Sequence, residues 1–168
     1  MTHNIVVGVD GSDNSFVALN TAADLAMQTD ARLSVVLVHD PRTGALAVAY
    51  DGGAELYIEQ TAAELETTSR ERVFHLLADR PVEWTFDVVG GEAAHMLVDV
   101  AKARSAWLII VGGRGHSLLG GLVLGSVAQK LVRSSPISVL VVRHPDVNDH
   151  QLSEQRQSTR SSPPLPQP

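Results

Sequence analysis

Apolar and polar positions along the chain fall into blocks that switch between two periods. Ile5–Val9 is β-branched and continuously apolar, and the polar turn Asp10-Gly11-Ser12 closes it. Across Asp13–Gln28, Val17, Leu19, Ala22, Ala23, Leu25 and Ala26 recur close to a helical period. Leu33–Val38 (LSVVLV) is a second strand of the buried type. Residues 40–54 (DPRTGALAVAYDGGA), punctuated by Pro, Gly and Asp, read as a long loop. Glu55–Ala78 predicts a long helix with Leu56, Ala62, Ala63, Leu65, Val73, Leu76 and Leu77 on its inner side. Val82–Val89 is a third strand, and Glu92–Ala103 a helix behind Gly90-Gly91. Trp107–Val111 is a fourth strand, Ser126–Arg133 a helix, and Val139–Val142 a fifth strand.

Strand and helix therefore alternate through the chain, and the strands are almost continuously apolar. That is the signature of a parallel sheet covered by helices on both faces. With right-handed crossovers the fold class is α/β, a doubly wound, open, parallel five-stranded sheet of Rossmann-like form. From His144 the character changes. The stretch HPDVNDHQLSEQRQSTRSSPPLPQP carries few large apolar residues to offset its ordering entropy. The expected division is a domain over 1–144 and a disordered, Pro-rich tail over 145–168. No internal repeat is visible.

Composition narrows the chemistry. The 168 residues are 44% hydrophobic and 19% charged, with a net charge of −6. There is no broad basic footprint for nucleic acid or an anionic membrane. The absence of cysteine removes disulfides, cysteine nucleophiles and thiolate metal sites. No signal peptide is readable at MTHNIVVGVDGS, and no apolar run approaches the length of a spanning helix, so a cytoplasmic protein is expected. The seven histidines show no metal-ligand spacing, and no Gly-x-Ser-x-Gly elbow is present. The run ELETTSRER (64–72) reads as a solvated helix face with i,i+4 pairs such as Glu66–Arg70. Trp84 and Trp107 are expected in the core or an interface.

The stretch GGRGHSLLGGLVLGS (112–126) follows the fourth strand and leads into a helix near Ser126. In an open α/β sheet, ligands sit beyond the carboxyl ends of the strands where strand order reverses. Glycines allow close approach of a ligand to the backbone. The free N–H groups at the helix start attract phosphate, and Ser126, at or near the N-cap, adds a hydroxyl. Gly120-x4-Gly125-Ser126 has the outline of a P-loop without its lysine. Lys130, one turn into the helix, points elsewhere by spacing. On glycine content alone, a flexible connector and an anion cradle are equally open. Asp10 is likewise open between a turn or capping residue, with Ser12 or Asp13 as alternative caps, and a ligand contact.

The spacing Gly112-x2-Gly115-x9-Gly125-Ser126 resembles the nucleotide-binding signature of the universal stress protein family. VGVDGSDNS (7–15) is similar to that family's first strand and turn, and LVLGSVAQKLV (122–132) to its helix start. The likeness runs in order over about residues 4–143. It implies a strand order of 3-2-1-4-5, and a crevice between Asp10 and Gly112. It further implies that Asp10 bonds ribose hydroxyls, Gly8 and Val9 line the pocket, and Val38 meets adenine through its backbone. Gly112 and Gly115 would admit the ribose and α-phosphate, Gly125, Ser126 and Val127 would bind the outer phosphates, and Val111 would pack on base or ribose. Arg114 and His116 stand in the loop, each with a solvent-facing alternative. The sequence departs from the family pattern at Ala128, where some members carry a hydroxyl, at Ser138 for a frequent proline, and at Leu37 for a frequent histidine, with His39 two positions on.

The resemblance implies an ATP-binding regulatory or stress-response protein, with Mg2+ accompanying the nucleotide. No catalytic residue and no protein metal site is assigned. A slow ATPase or phosphotransferase and a nucleotide-free or cyclic-AMP-binding interaction module are the alternatives. VLVV (139–142) is expected at a sheet edge with no proline or inward charge to block pairing, and therefore as the seam of a homodimer.

Overall fold

The computed structural model describes residues 3–40, 54–113 and 124–143. Residues 41–53 of the loop expected over 40–54, the residues Arg114, Gly115 and His116, and the tail 145–168 lie outside them, while Ala54 already belongs to the following helix. The elements are β1 (Asn4–Val9), α1 (Asp13–Thr29), β2 (Arg32–His39), α2 (Ala54–Leu77), β3 (Trp84–Gly90), α3 (Ala93–Ala103), β4 (Ala106–Gly112), α4 (Ser126–Ser134) and β5 (Ser138–Val142). The strands form one sheet in the order β3-β2-β1-β4-β5, and every pairing is parallel. This is the doubly wound architecture and the strand order expected from the sequence.

The two-residue period of the strands builds two cores. On one face Ile5, Val7, Leu33, Val35, Leu37, Leu108 and Ile110 pack beneath α1 and α2. On the other, Val6, Val36, Ile109 and Val111 pack beneath α3 and α4 with Leu97, Ala101, Ala128 and Leu131. Removing both faces from water explains why the strands are apolar at almost every position. Leu37, which replaces a frequent family histidine, is fully buried in the α1 and α2 core.

The helix stripes shift slightly from the expected ones. Phe16 and Ala18 are buried on α1, where the periodicity pointed to Val17. On α2 the seam runs through Ser69, Val73 and Leu77, and Ala63 is exposed. The small Ser69 takes a seam position that a scan for apolar residues passes over. The Glu66–Arg70 pair forms as expected, at 2.8 Å. Trp84 packs against the α1 and α2 core, whereas Trp107 is 41% exposed. The reason is a register shift between β1 and β4. Asn4 faces Ala106 and Ile5 faces Leu108, so Trp107 is the extra residue of a bulge.

At the amino ends of the strands, polar contacts close the shoulder that α3 leaves uncovered. The Arg104 guanidinium donates to Ser34 Oγ (3.0 Å), Thr85 Oγ1 (2.7 Å) and Asp87 Oδ2 (2.7 Å). The opposite, carboxyl ends of the strands remain available for a site.

Candidate binding cleft

Order reverses between β1 and β4: the chain leaves β1 into α1 on one face and leaves β4 toward α4 on the other. Beyond the carboxyl ends of β1, β2 and β4 lies an open cleft lined by Gly8, Val9, Asp10, Val36, Val38, Ala93, Leu97, Val111 and Val127. Including its open mouth, it holds about 380 Å³ of empty space. Its walls are mainly apolar with a few placed polar groups, as in small-molecule sites.

Gly8 forms the floor. A Cβ there would stand 3.0 Å from Leu97 Cδ1 and 3.3 Å from Val111 Cγ1, so the missing side chain is part of the cleft's depth. Two residues on, the Asp10 carboxylate is fixed by a local turn. Its Oδ1 accepts from Ser12 N (3.0 Å) and Ser12 Oγ (2.6 Å). Gly11, at φ 85°, makes that turn at no steric cost. Ser12 caps α1, its Oγ accepting from Ser15 N at 3.3 Å. Asp10 is thus not the cap; it orients the residue that is, and is itself oriented.

The glycine stretch shows its two ends. Gly113 N donates to Val142 O (2.7 Å) and Gly113 O accepts from Gly125 N (2.7 Å). Gly113 is thus tied both to β5 and to the N-cap of α4. Gly112 is pressed onto α1: a Cβ would come within 2.9 Å of the Asn14 backbone carbonyl. Packing alone accounts for glycine there, a reason that spacing could not separate from ligand approach.

The N-cap of α4 is Gly125, one residue before the Ser126 expected at or near it, and among the described residues no side chain caps the helix. Ser126 is the first helical residue and Val127, the second, lines the cleft. The uncapped first-turn N–H groups give this end of the site a positive pole. Gln129 Nε2 donates to Leu124 O (2.6 Å), which holds the loop's return to the helix.

Of the positions singled out in the sequence, Gly8, Val9, Asp10, Val38, Val111 and Val127 meet in one cleft. Gly112 lies at the end of β4, and Gly125 and Ser126 at the start of α4. Arg114 and Gly115 are outside the described residues. Val36, Ala93 and Leu97 also line the cleft and were not anticipated. Val36 follows from two-residue alternation with Val38. Ala93 and Leu97 sit four apart on a helix that comes from a different crossover, and only the strand order brings it here.

Lys130, which spacing along α4 turns away from the loop, meets Glu92 Oε2 with its Nζ at 2.5 Å, next in sequence to the cleft residue Ala93. Spacing within one helix does not see a neighbouring helix. Glu92 is the N-cap of α3, its Oε1 accepting from Ala94 N at 3.2 Å. The Lys130 hydrogen bond, foremost, holds the Glu92 carboxyl below the usual glutamate range against an opposing desolvation, and the Ala94 N–H adds to it. Among the described residues, no group of three His, Asp or Glu side chains is placed to hold a metal ion.

The chain is thus a doubly wound α/β fold with an apolar cleft and a fixed carboxylate at its switch point, the place where open α/β sheets take their ligands. The universal stress protein family matches over residues 1–143, and the chain belongs to that stress-response family. It is 32% identical to the stress response protein NhaX of Bacillus subtilis, over 83% of this chain and 96% of that one. It is 31% identical to the universal stress protein YxiE of the same organism, over 85% and 100%. Among solved structures, hypothetical protein MJ0577 superposes with a TM-score of 0.73 at 22% identity, covering 87% of this chain and 99% of that one. A universal stress protein in complex with cAMP gives a TM-score of 0.58 at 25% identity, over 84% and 97%. The universal stress protein from Archaeoglobus fulgidus in complex with dAMP gives 0.56 at 18% identity, over 84% and 97%.

Proposed function

We propose that the cleft binds an adenine nucleotide, with ATP as the physiological ligand, and that the protein acts by binding rather than by turnover. The supporting observation is the convergence of a glycine floor, apolar walls, a fixed Asp10 carboxylate and the uncapped start of α4 within one switch-point cleft. Val36, Val38, Leu97 and Val111 offer surfaces for a base. Asp10 is suited to accept from ribose hydroxyls, and Ser126 and Val127 present backbone N–H groups to phosphates, with Gly125, whose N–H is held by Gly113 O, allowing their close approach. Arg114 and Gly115 complete the phosphate side in this reading. Relatives of the same fold bound to cAMP and to dAMP support the adenine class. Mg2+ would arrive with the nucleotide and be held mainly by its phosphates. The loop lacks the lysine with which a P-loop neutralises charge in phosphoryl transfer, which favours retention of the nucleotide over its cleavage. A nucleotide-ordered loop would then bias a surface read by another molecule, in a cytoplasmic homodimer joined along β5.

The test is calorimetric titration with ATP and Mg2+ and, separately, with cAMP, together with identification of any nucleotide released from freshly purified, denatured protein. Saturable ATP binding, weakened about tenfold in Asp10→Asn by loss of charge-assisted hydrogen bonds, is the expected result. No binding of either nucleotide by the wild-type chain would overturn the proposal. Preference for cAMP would replace ATP while keeping the site.

A further inference from the structure

Two helices of different crossovers wall the cleft, and an ion pair joins them. Ala93 and Leu97 come from α3, and Val127 from α4. Glu92, immediately before Ala93, caps α3 with one carboxylate oxygen and receives Lys130 Nζ on the other. Lys130 is three residues from Val127, and so on the same side of α4. Its neighbour Leu131 and, on α3, Leu97 are buried in the same core beneath the two helices. The pair therefore spans from the N-cap of α3 to a point one turn into α4. Glu92 is the more enclosed partner, at 25% side-chain exposure, and Lys130 the more exposed, at 58%.

We infer that the Glu92–Lys130 pair is a brace across the cleft: it positions the α3 wall against the start of α4, and so sets how tightly the adenine and ribose part of a ligand is held. Both are positioning residues acting through Ala93 and Leu97 of the α3 wall. The inference deepens the nucleotide-binding reading and rests on it for its ligand readout.

A brace and a charge contact with phosphate make opposite demands. A brace shapes the apolar wall, so its loss weakens adenosine, AMP and ATP by the same factor. A lysine that serves the phosphates loses more affinity as phosphates are added, and removal of Glu92, a like charge, tightens ATP. Partly exposed ion pairs are modest, so a loss of about two- to fivefold per variant is expected. Glu92→Gln keeps an oxygen for the α3 cap, and Lys130→Met keeps the apolar stem.

Dissociation constants for adenosine, AMP and ATP in wild type, Glu92→Gln, Lys130→Met and the double variant provide the test. Equal loss across the three ligands, a double variant no weaker than either single one, and recovery in Lys130→Arg are the expected results. A loss that grows with phosphate number, tighter ATP binding by Glu92→Gln, or additive losses in the double variant would overturn the brace. Its mechanical half is read without any ligand. In the Lys130→Met variant, hydrogen exchange at the Met96 and Leu97 amides of α3 is expected to quicken although the change is on α4. Unchanged exchange there overturns the brace, whereas a wild-type chain that binds no nucleotide overturns the function proposed above and leaves this readout in force.

Discussion

Gly112 and Gly113 stand side by side at the end of β4, yet a methyl group meets different neighbours at each. At Gly112 it would come 2.9 Å from Asn14 C and O and 3.1 Å from Ser15 N, all backbone of the capped first turn of α1. At Gly113 the nearest atom is Arg143 Cγ at 2.9 Å, in a long side chain that can swing aside, with Val142 O at 3.4 Å. Backbone cannot yield without moving a helix, so Gly112→Ala is expected to cost about 1–3 kcal/mol, as overpacking does. Gly113 is itself buried, but its nearest neighbour is a side chain that can move, so Gly113→Ala should cost less, about 1 kcal/mol or under. Urea denaturation of the two variants measures both; equal losses would show that α1 gives way as easily as an arginine. The two glycines look alike in the sequence, and both sit in a stretch read as a cradle. Only one carries a packing constraint that is visible without a ligand.

At the scale of elements, the Glu92–Lys130 contact ties protonation to the pairing of α3 with α4. In an unfolded chain a glutamate titrates near about 4.3. In the fold, the hydrogen bond from Lys130, and after it the Ala94 N–H, lowers that value against desolvation. The folded protein thus takes up this proton at lower pH than the unfolded chain. The pair's contribution is fully present above about pH 4.3 and is lost as pH falls toward the folded value. The stability difference between wild type and Glu92→Gln should therefore shrink as pH is lowered through that window, as read from denaturation midpoints between pH 7 and 3. A difference that stays constant would show that ionisation of Glu92 does not support the fold. This link was not legible in the sequence. Strands and helices were, within a residue or two, because each is written in a local period: β1, β2 and β4 in continuous β-branched runs, α1 in apolar residues three and four apart. Gly8, Val9, Asp10 and Val38 were legible as a site for a related reason, since they end strands whose order the family likeness supplied. Leu97 reaches the cleft through the strand order, and Lys130 reaches Glu92 through the packing of α3 on α4, relations between distant segments that no local period encodes. The Trp107 bulge escaped for the same reason, since it is a mismatch between β1 and β4 and not a property of either strand.

For the whole molecule, the sheet order leaves β3 and β5 as its two edges, and they differ in how well they are defended. Along β3, Thr85 and Asp87 are engaged by Arg104, which lays charge across that shoulder. β5 (SVLVV) has neither charge nor proline, and Leu140 remains 37% exposed on it, with Val132 of the adjoining α4 at 58%. An apolar edge strand with open hydrogen-bonding groups is a template for another strand. The proposed homodimer places a second β5 there, so that two sheets continue across the seam. The edge also touches the cleft's machinery, because Val142 O holds Gly113 N and Gly113 O holds Gly125 N. The N-cap of α4 is thereby connected, through two backbone hydrogen bonds, to β5. Leu140→Lys places a charge on that edge without removing a buried contact of the core. Sedimentation equilibrium should find the wild-type chain at about twice its 18.0 kDa mass and Leu140→Lys at the monomer mass, with ATP affinity within about twofold of wild type because the cleft walls are unaltered. A wild-type monomer would remove the seam, and a Leu140→Lys dimer would move it off β5. A monomeric variant that also lost ATP binding would show that the cleft depends on the partner subunit and is not complete within one chain.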